Sequence, residues 1–410
     1  MTSVEEFRRA AAGSDRMFWL DGGGATPWSG RRSVIGVLGP DDVSLTFDAG
    51  SRTVLRHDGD GATPVGDDVF AVLDEHVAAD RDDPSVSWVG YLGYACRTDL
   101  PGRPAADVPD AVWMRVRDPR VVEEPDAVEG PVVVPEATAG DASPGYLAAY
   151  DEVQRQLRLG NSYEVNLTHR ESQVSARAPV ETYLRLRSLN PAPYSGYLQH
   201  RGVHLLSSSP ERFATINRDR RIEAKPIKGT TPRATDPVED ERQRRHLAEH
   251  PRFRAENLMI VDLLRNDLGM VCEPGSVEVP HLMEVESYRS VHQLVSTIRG
   301  RLRGDVGTVA ALRAIFPAGS MTGAPKRRTM EIIDAVESTP RGVYAGAFGW
   351  ISGDGRADLS VVIRSLVATA DGDGWRYEWG TGGGITVQSD VLEEWAETQW
   401  KAARLRAALA

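Results

Sequence analysis

The sequence predicts an α+β fold, and three observations carry that prediction. Strand-like alternation dominates the chain before residue 120. An acidic connection bearing prolines follows. From 143 onward, strands and helices interleave without a regular βαβ repeat. The expected division is a strand-rich subdomain over 1–120, a connection over 121–142 and a larger unit over 143–410. The chain's 410 residues suffice for two or three packing units.

Taken in order, the alternating segments 43–47 (VSLTF) and 87–94 (SWVGYLGY) read as strands closed by Gly and Asp-Gly turns. Residues 121–144 carry four prolines, six acids and no basic residue, and read as a connection with one short edge strand at 132–134 (VVV). Ser143 then suits an N-cap and Pro144 the first helical position. Tyr146, Leu147, Tyr150, Val153 and Leu157 recur at helical spacing until Gly160 and Asn161, and a strand is expected over 163–168. Residues 256–268 predict a second helix, with Leu258, Val261, Leu264 and Leu268 as its buried stripe. Strands are expected at 343–351 and 359–369. A final helix starts at Val391, capped by Asp390, with Glu393 completing a capping box.

Composition narrows the function. Lys and Arg number 48 against 59 Asp and Glu, a formal net charge of −11, which repels nucleic-acid backbones and anionic lipid. Neither a nucleic-acid nor a membrane partner is expected. Two cysteines, Cys96 and Cys272, are too few for a disulfide framework or a cysteine metal cluster. The N-terminus is charged and no apolar run reaches about 18 residues, so a reduced, cytoplasmic, soluble protein is expected.

Several residues look chemical. On the last helix Glu394, Glu397 and Lys401 share one face, and two carboxylates one turn apart repel unless a cation sits over them. Alone, that pattern is more commonly a solvated helix surface. Glu256, opening another helix, could complete an oxygen-only ligand set of the kind Mg²⁺ takes. Arg364 lies in the apolar run 359–367 (LSVVIRSLV), where a guanidinium needs a carboxylate, either a ligand's or an internal one. The run 379–385 (WGTGGGI) is neither a dinucleotide fingerprint nor a P-loop, and by default reads as a flexible turn. In 225–233 (KPIKGTTPR), two prolines stiffen the flanks of Lys228 and Gly229 permits an unusual backbone angle. A lysine so presented serves as a nucleophile if its pKa falls; most lysines are simply solvated. Glu211, in 207–213 (SSSPERF), is a possible general acid or an exposed turn carboxylate. His292 stands among apolar neighbours, as a packed core histidine does.

Together the blocks SSSPERF, KPIKGTTPR, ENLMIVDLLRNDLG, SVHQLVSTIRG, FPAGSMTGAPK, VYAGAFGW, VIRSL, GTGGGIT and EEWAET occur in the order found in the chorismate-utilising enzymes, which this sequence closely resembles over about 143–405. The resemblance implies antiparallel β-sheets packed as a sandwich with flanking helices, and makes 143–410 the chorismate-binding catalytic domain. Lys228 stands where the branch that aminates chorismate at C4 has lysine and the anthranilate-forming branch has alanine. Glu164 stands where isochorismate- and salicylate-forming members have a water-activating lysine. The implied site has Glu256, Glu394 and Glu397 on Mg²⁺ and Arg364 and Tyr344 on the enolpyruvyl carboxylate. Thr230, Thr322, Gly382, Gly384 and Lys401 position the substrate. Lys228 attacks C2, Glu211 protonates the leaving hydroxyl, and His292 stands near that hydroxyl. Ammonia is expected from a separate glutamine amidotransferase subunit.

Overall fold

The computed structural model describes residues 2–22, 32–59, 61–123, 140–289 and 291–410. Most of the acidic connection, including the edge strand expected at 132–134, lies outside these residues. Among them the strands form two antiparallel sheets. The nine-stranded sheet runs, in spatial order, Gly323–Ala324, Glu164–Ser175, Gly374–Ile385, Ser365–Asp371, Val203–Ser209, Tyr194–His200, Arg16–Asp21, Arg32–Val37 and Arg120–Glu123. The twelve-stranded sheet runs from Ile227–Pro232 through Val291–Arg301, Arg221–Lys225, Arg212–Ile216, Ala357–Val361 and Ala347–Ser352. It continues through Val86–Leu92, Ala111–Arg117, Ser44–Asp48 and Thr53–Asp58 to Gly61–Gly66, with Glu278–Ser287 paired beside Val291–Arg301. Strands from before residue 120 pair with strands from after 143 in both sheets, Arg16–Asp21 with Tyr194–His200 and Val86–Leu92 with Ala347–Ser352.

Period-2 side chains make one core between the sheets: Phe18, Leu198 and Leu205 from one face meet Val89, Tyr91, Met114 and Phe348 from the other. Helices cover the outer faces. Phe7, Tyr183, Ala402 and Leu405 pack on the nine-stranded sheet with Trp19 and Tyr197. Ile260, Val261, Leu264 and Leu268 pack on the other with Ile298 and Ile222. This is an α+β sandwich of sheets between helices.

The helix Pro144–Arg158 begins as expected, with Tyr146 N–H donating to Ser143 Oγ at 3.2 Å. The helix Pro251–Gly269 starts five residues before the expected 256. Leu258 is 52% exposed, and the buried stripe carries Ile260 in its place. At Val391–Leu409 Asp390 caps through the amides of Leu392 and Glu393. Glu393 does not close a capping box; its carboxylate lies 3.4 Å from Arg252. The strand expected at 359–369 is two strands, Ala357–Val361 in one sheet and Ser365–Asp371 in the other, and Arg364 stands in the crossing with φ of +52°. Cys96 and Cys272 are buried and unbridged. Among the described residues no helix is long and apolar enough to cross a membrane.

Phe18 is fully buried between the sheets. Phe18→Ala is expected to lower stability by about 3–5 kcal/mol, read as a shift of the urea midpoint at unchanged slope.

Candidate active site

The chain crosses between the sheets at Pro210–Glu211, after Val203–Ser209, and again at Val362–Arg364, before Ser365–Asp371. The two crossings are clipped together: Val361 N–H donates to the Glu211 carbonyl at 3.0 Å, and Ser209 Oγ to the Val361 carbonyl at 2.6 Å. Where strands leave one sheet for the other the sandwich opens. The cavity there, open to solvent at its mouth, has an empty volume of about 790 Å³ with that mouth included. Lys228, Glu211, Thr230, Glu256, Tyr344, Arg364, Gly382, Gly384, Glu397 and Lys401 all line it. A second cavity shares Gly229, Thr230, Glu256, Gly384 and Glu397 with the first and adds Glu394 and Arg252.

Lys228 lies on Ile227–Pro232, whose pairing with Val291–Arg301 breaks register between Ile227 and Thr230. Gly229 takes φ of +94° there, as the sequence predicts, and a Cβ on it would come within 2.9 Å of Leu247. Lys228 is 7% exposed and its Nζ is in direct contact with Glu164 Oε1. The other Glu164 oxygen is buried with no hydrogen-bond partner among the described residues. Burial pushes the Lys228 ammonium down, but Glu164 and Glu256 outweigh it, and its pKa lies above the usual lysine value.

Glu211 is buried, accepts from Ser320 Oγ at 2.6 Å, and is pushed by burial up to about 7. That is the environment of a carboxylic acid able to donate a proton near neutrality. The glycine run is no turn: Gly374–Ile385 is continuous strand, with Gly382, Gly383 and Gly384 opposite Thr168, Leu167 and Asn166. Its glycines clear space. A Cβ at 384 would sit 2.2 Å from Glu164 Oε1 and 2.9 Å from Lys228 Nζ, and one at 383 would sit 3.1 Å from Glu394.

Arg364, expected inside a strand buried on both sides, is half-buried at the crossing, with its guanidinium 5.3 Å from the Trp400 ring. It makes no hydrogen bond or ion pair among the described residues, and burial pulls its pKa down to about 10. Tyr344 is buried with Arg170 over its ring at 4.9 Å. Lys401 Nζ reaches the Gly382 carbonyl at 2.7 Å and Glu397 at 2.6 Å.

The three carboxylates expected on a metal line the joined cavities, but no set of three or more His, Cys, Asp or Glu among the described residues is gathered closely enough to hold an ion. Arg252 stands between two of them, with Nε 2.9 Å from Glu256 Oε1 and Nη2 in contact with Glu394 Oε1. Glu394 is pushed up to about 7, first by burial and then by the charge of Glu397. Oxygen-only donors among which Glu394 still feels the charge of Glu397 suit a hard divalent cation in chemistry.

Two expected positions fall outside the cavity wall. Thr322 is fully buried with its hydroxyl 3.3 Å from the Gly319 carbonyl and 3.4 Å from that of Ala318, and Met321 lines the cavity instead. His292 points away from it: Ser287 Oγ lies 2.8 Å from Nδ1 and Asp240 Oδ1 3.1 Å from Nε2. Successive strand residues face opposite sides, so the next residue, Gln293, lines the cavity.

Residues 45–407 match the family described as chorismate binding enzyme. The chain belongs to that family. Among curated relatives, an aminodeoxychorismate synthase of Streptomyces pristinaespiralis is 39% identical, covering 98% of this chain and 63% of its own length. One of Streptomyces griseus is 40% identical, covering 95% and 60%. Aminodeoxychorismate synthase component 1 of Klebsiella aerogenes is 43% identical over 63% of this chain and 56% of its own. The chain thus spans about three fifths of the length of the curated relatives it matches. The fold is that of anthranilate synthase component I from Streptococcus pneumoniae, with a TM-score of 0.75 at 24% identity over 93% of each chain.

Sequence reasoning missed Arg252, Ser320 and Gln293 and gave Glu164 no contact with Lys228. Spacing could have found Arg252, four residues before Glu256 on one helix face. Glu164 and Ser320 meet their partners only through tertiary pairing. Gly384→Ala is expected to force apart the Lys228–Glu164 pair and lower stability by about 1–3 kcal/mol. Gly145→Ala, inside the helix Pro144–Arg158 where a Cβ would meet nothing within 4 Å, should instead raise stability by about 0.4–1 kcal/mol, read as a higher urea midpoint.

Proposed function

We propose that the chain aminates chorismate at C4, giving 4-amino-4-deoxychorismate, with Mg²⁺ as cofactor and ammonia from a glutamine amidotransferase partner. The observation that carries this reading is Lys228, buried in the cavity wall between Glu164 and Glu256, with the protonatable Glu211 lining the same cavity. The curated relatives' names support it. Alanine would be expected at 228 in the anthranilate-forming reading, in which nitrogen enters at C2.

A charged lysine cannot attack, so its proton must leave first, and Glu164 is the acceptor in contact with it. The freed amine forms a bond to C2, the ring double bonds shift, and the C4–O bond breaks. Glu211 gives its proton to the departing hydroxyl, which leaves as water. Ammonia then bonds to C4 as the C2–N bond breaks. Lys228 recovers its proton from Glu164, and the new C4 ammonium returns one to Glu211, restoring both carboxyl groups. Arg364, a planar donor with no hydrogen bond or ion pair among the described residues, takes a substrate carboxylate, with Tyr344 beside it. Glu256, Glu394 and Glu397 would hold Mg²⁺, which supplies charge neutralisation at the other carboxylate.

Incubation with chorismate, Mg²⁺ and an ammonium salt should yield 4-amino-4-deoxychorismate by mass and chromatography; anthranilate or isochorismate as main product would overturn the assignment. Lys228→Ala should bind chorismate by calorimetry and form no product. Undiminished turnover would exclude the covalent route. The acid form of Glu211 is the active one, so kcat should fall as pH rises through about 7. Glu211→Gln should lower kcat by roughly 10²–10⁴-fold and abolish that alkaline limb.

A further inference from the structure

Among the described residues, Asn166 and Gln293 each bring to the cavity wall an amide oxygen that is buried without a hydrogen-bond partner, and Gln293 lies on the strand beside Lys228. Gln293 sits on Val291–Arg301, opposite Thr230 on one neighbouring strand and Glu286 on the other. It is 3% exposed and lines the cavity with Lys228 and Glu211, and its Oε1 is buried with no hydrogen-bond partner among the described residues. A buried acceptor left open is unfavourable, and folded proteins retain few of them. Its natural complement is an N–H or O–H donor brought in by a ligand.

On the proposed function, on which this inference rests, the reactants offer few such donors. Chorismate's carboxylates and ether oxygen are acceptors and would be repelled by a carbonyl oxygen. The C4 hydroxyl is the group Glu211 protonates. Ammonia carries three N–H donors and a lone pair that must stay free for C4. We propose that Gln293 Oε1 is the acceptor that seats ammonia for its attack on C4. An amide suits this task because it is uncharged across the working pH range and has no acidic proton to give, so it holds ammonia without converting it to ammonium. As the N–C4 bond forms, nitrogen becomes positive and its N–H bonds more polar. The same contact then strengthens in the transition state.

The test uses the chain with Mg²⁺, chorismate and ammonium chloride as nitrogen source, at fixed pH. Gln293→Met keeps the side-chain length and removes the acceptor; Gln293→Leu is the second variant should the first unfold. Expected is a rise of about tenfold or more in KM for ammonia, with KM for chorismate and calorimetric chorismate affinity within about twofold of wild type. An unchanged KM for ammonia in a folded variant overturns the inference, and so does a change confined to KM for chorismate, which would assign Gln293 to the hydroxyl. A wild-type enzyme that forms no 4-amino-4-deoxychorismate sinks both this inference and the function beneath it.

Discussion

The site depends on one constraint: the backbone must change sheets twice at the same place. In a closed sandwich, inward side chains meet across the gap and exclude water, as Phe18, Met114 and Leu198 do. Where Pro210–Glu211 and Val362–Arg364 cross, the strands no longer face one another, and the peptide groups there lose their ladder partners. The hydrogen bond from Val361 N–H to the Glu211 carbonyl and the one from the Ser209 hydroxyl to the Val361 carbonyl supply replacements. The result is a rigid notch with a carboxyl group on one crossing and a guanidinium on the other. Their placement is a property of topology, because each sits on a short connection whose two ends are fixed in different sheets.

Glycine then decides what the notch can contain. Gly374–Ile385 is bonded along its length to Glu164–Ser175, so its backbone is held and its glycines add little looseness. Their role is the missing Cβ. At 384 that missing carbon is the space taken by the Glu164 carboxylate and the Lys228 ammonium, and at 383 it lies beside Glu394. Close approach of strand backbone to charged groups brings the lysine and carboxylates up against the strand, which no β-branched or larger residue would permit.

The elements most legible in the sequence were those defined by local chemistry. Ser143–Pro144 marked a helix start, Gly229 marked a positive φ beside Lys228, and the charged face of Glu397 and Lys401 appears as a 2.6 Å pair. Elements defined by distant pairing were not legible. A run of apolar residues around Arg364 reads as one strand because periodicity cannot see a change of sheet. The glycines at 380–384 read as a turn because the partner that makes them a strand lies more than two hundred residues away. The exchange of His292 for Gln293 is a one-residue matter: on a strand, composition cannot say which of two neighbours faces the cavity, and a histidine attracts the assignment by its chemistry. Leu258 and Ile260 differ for the analogous reason on a helix, where the buried stripe is set by what packs on it.

Charge balance gives the cofactor proposal its physical basis. Of the cations around the joined cavities, Lys228 is in contact with Glu164, Arg252 with Glu256 and Glu394, and Lys401 with Glu397, while Arg364 stands apart. Cations already held by carboxylates have little to spare for a dicarboxylate. Arg364 is the one of these cations that makes no hydrogen bond or ion pair among the described residues, so on the proposed function it is the one left to answer a substrate carboxylate. The second carboxylate would then need a compensating charge, and a divalent cation would supply it. Arg252 meanwhile occupies the gap between Glu256 and Glu394. It keeps buried carboxylates partnered when no cation is there, which would otherwise be strongly destabilising.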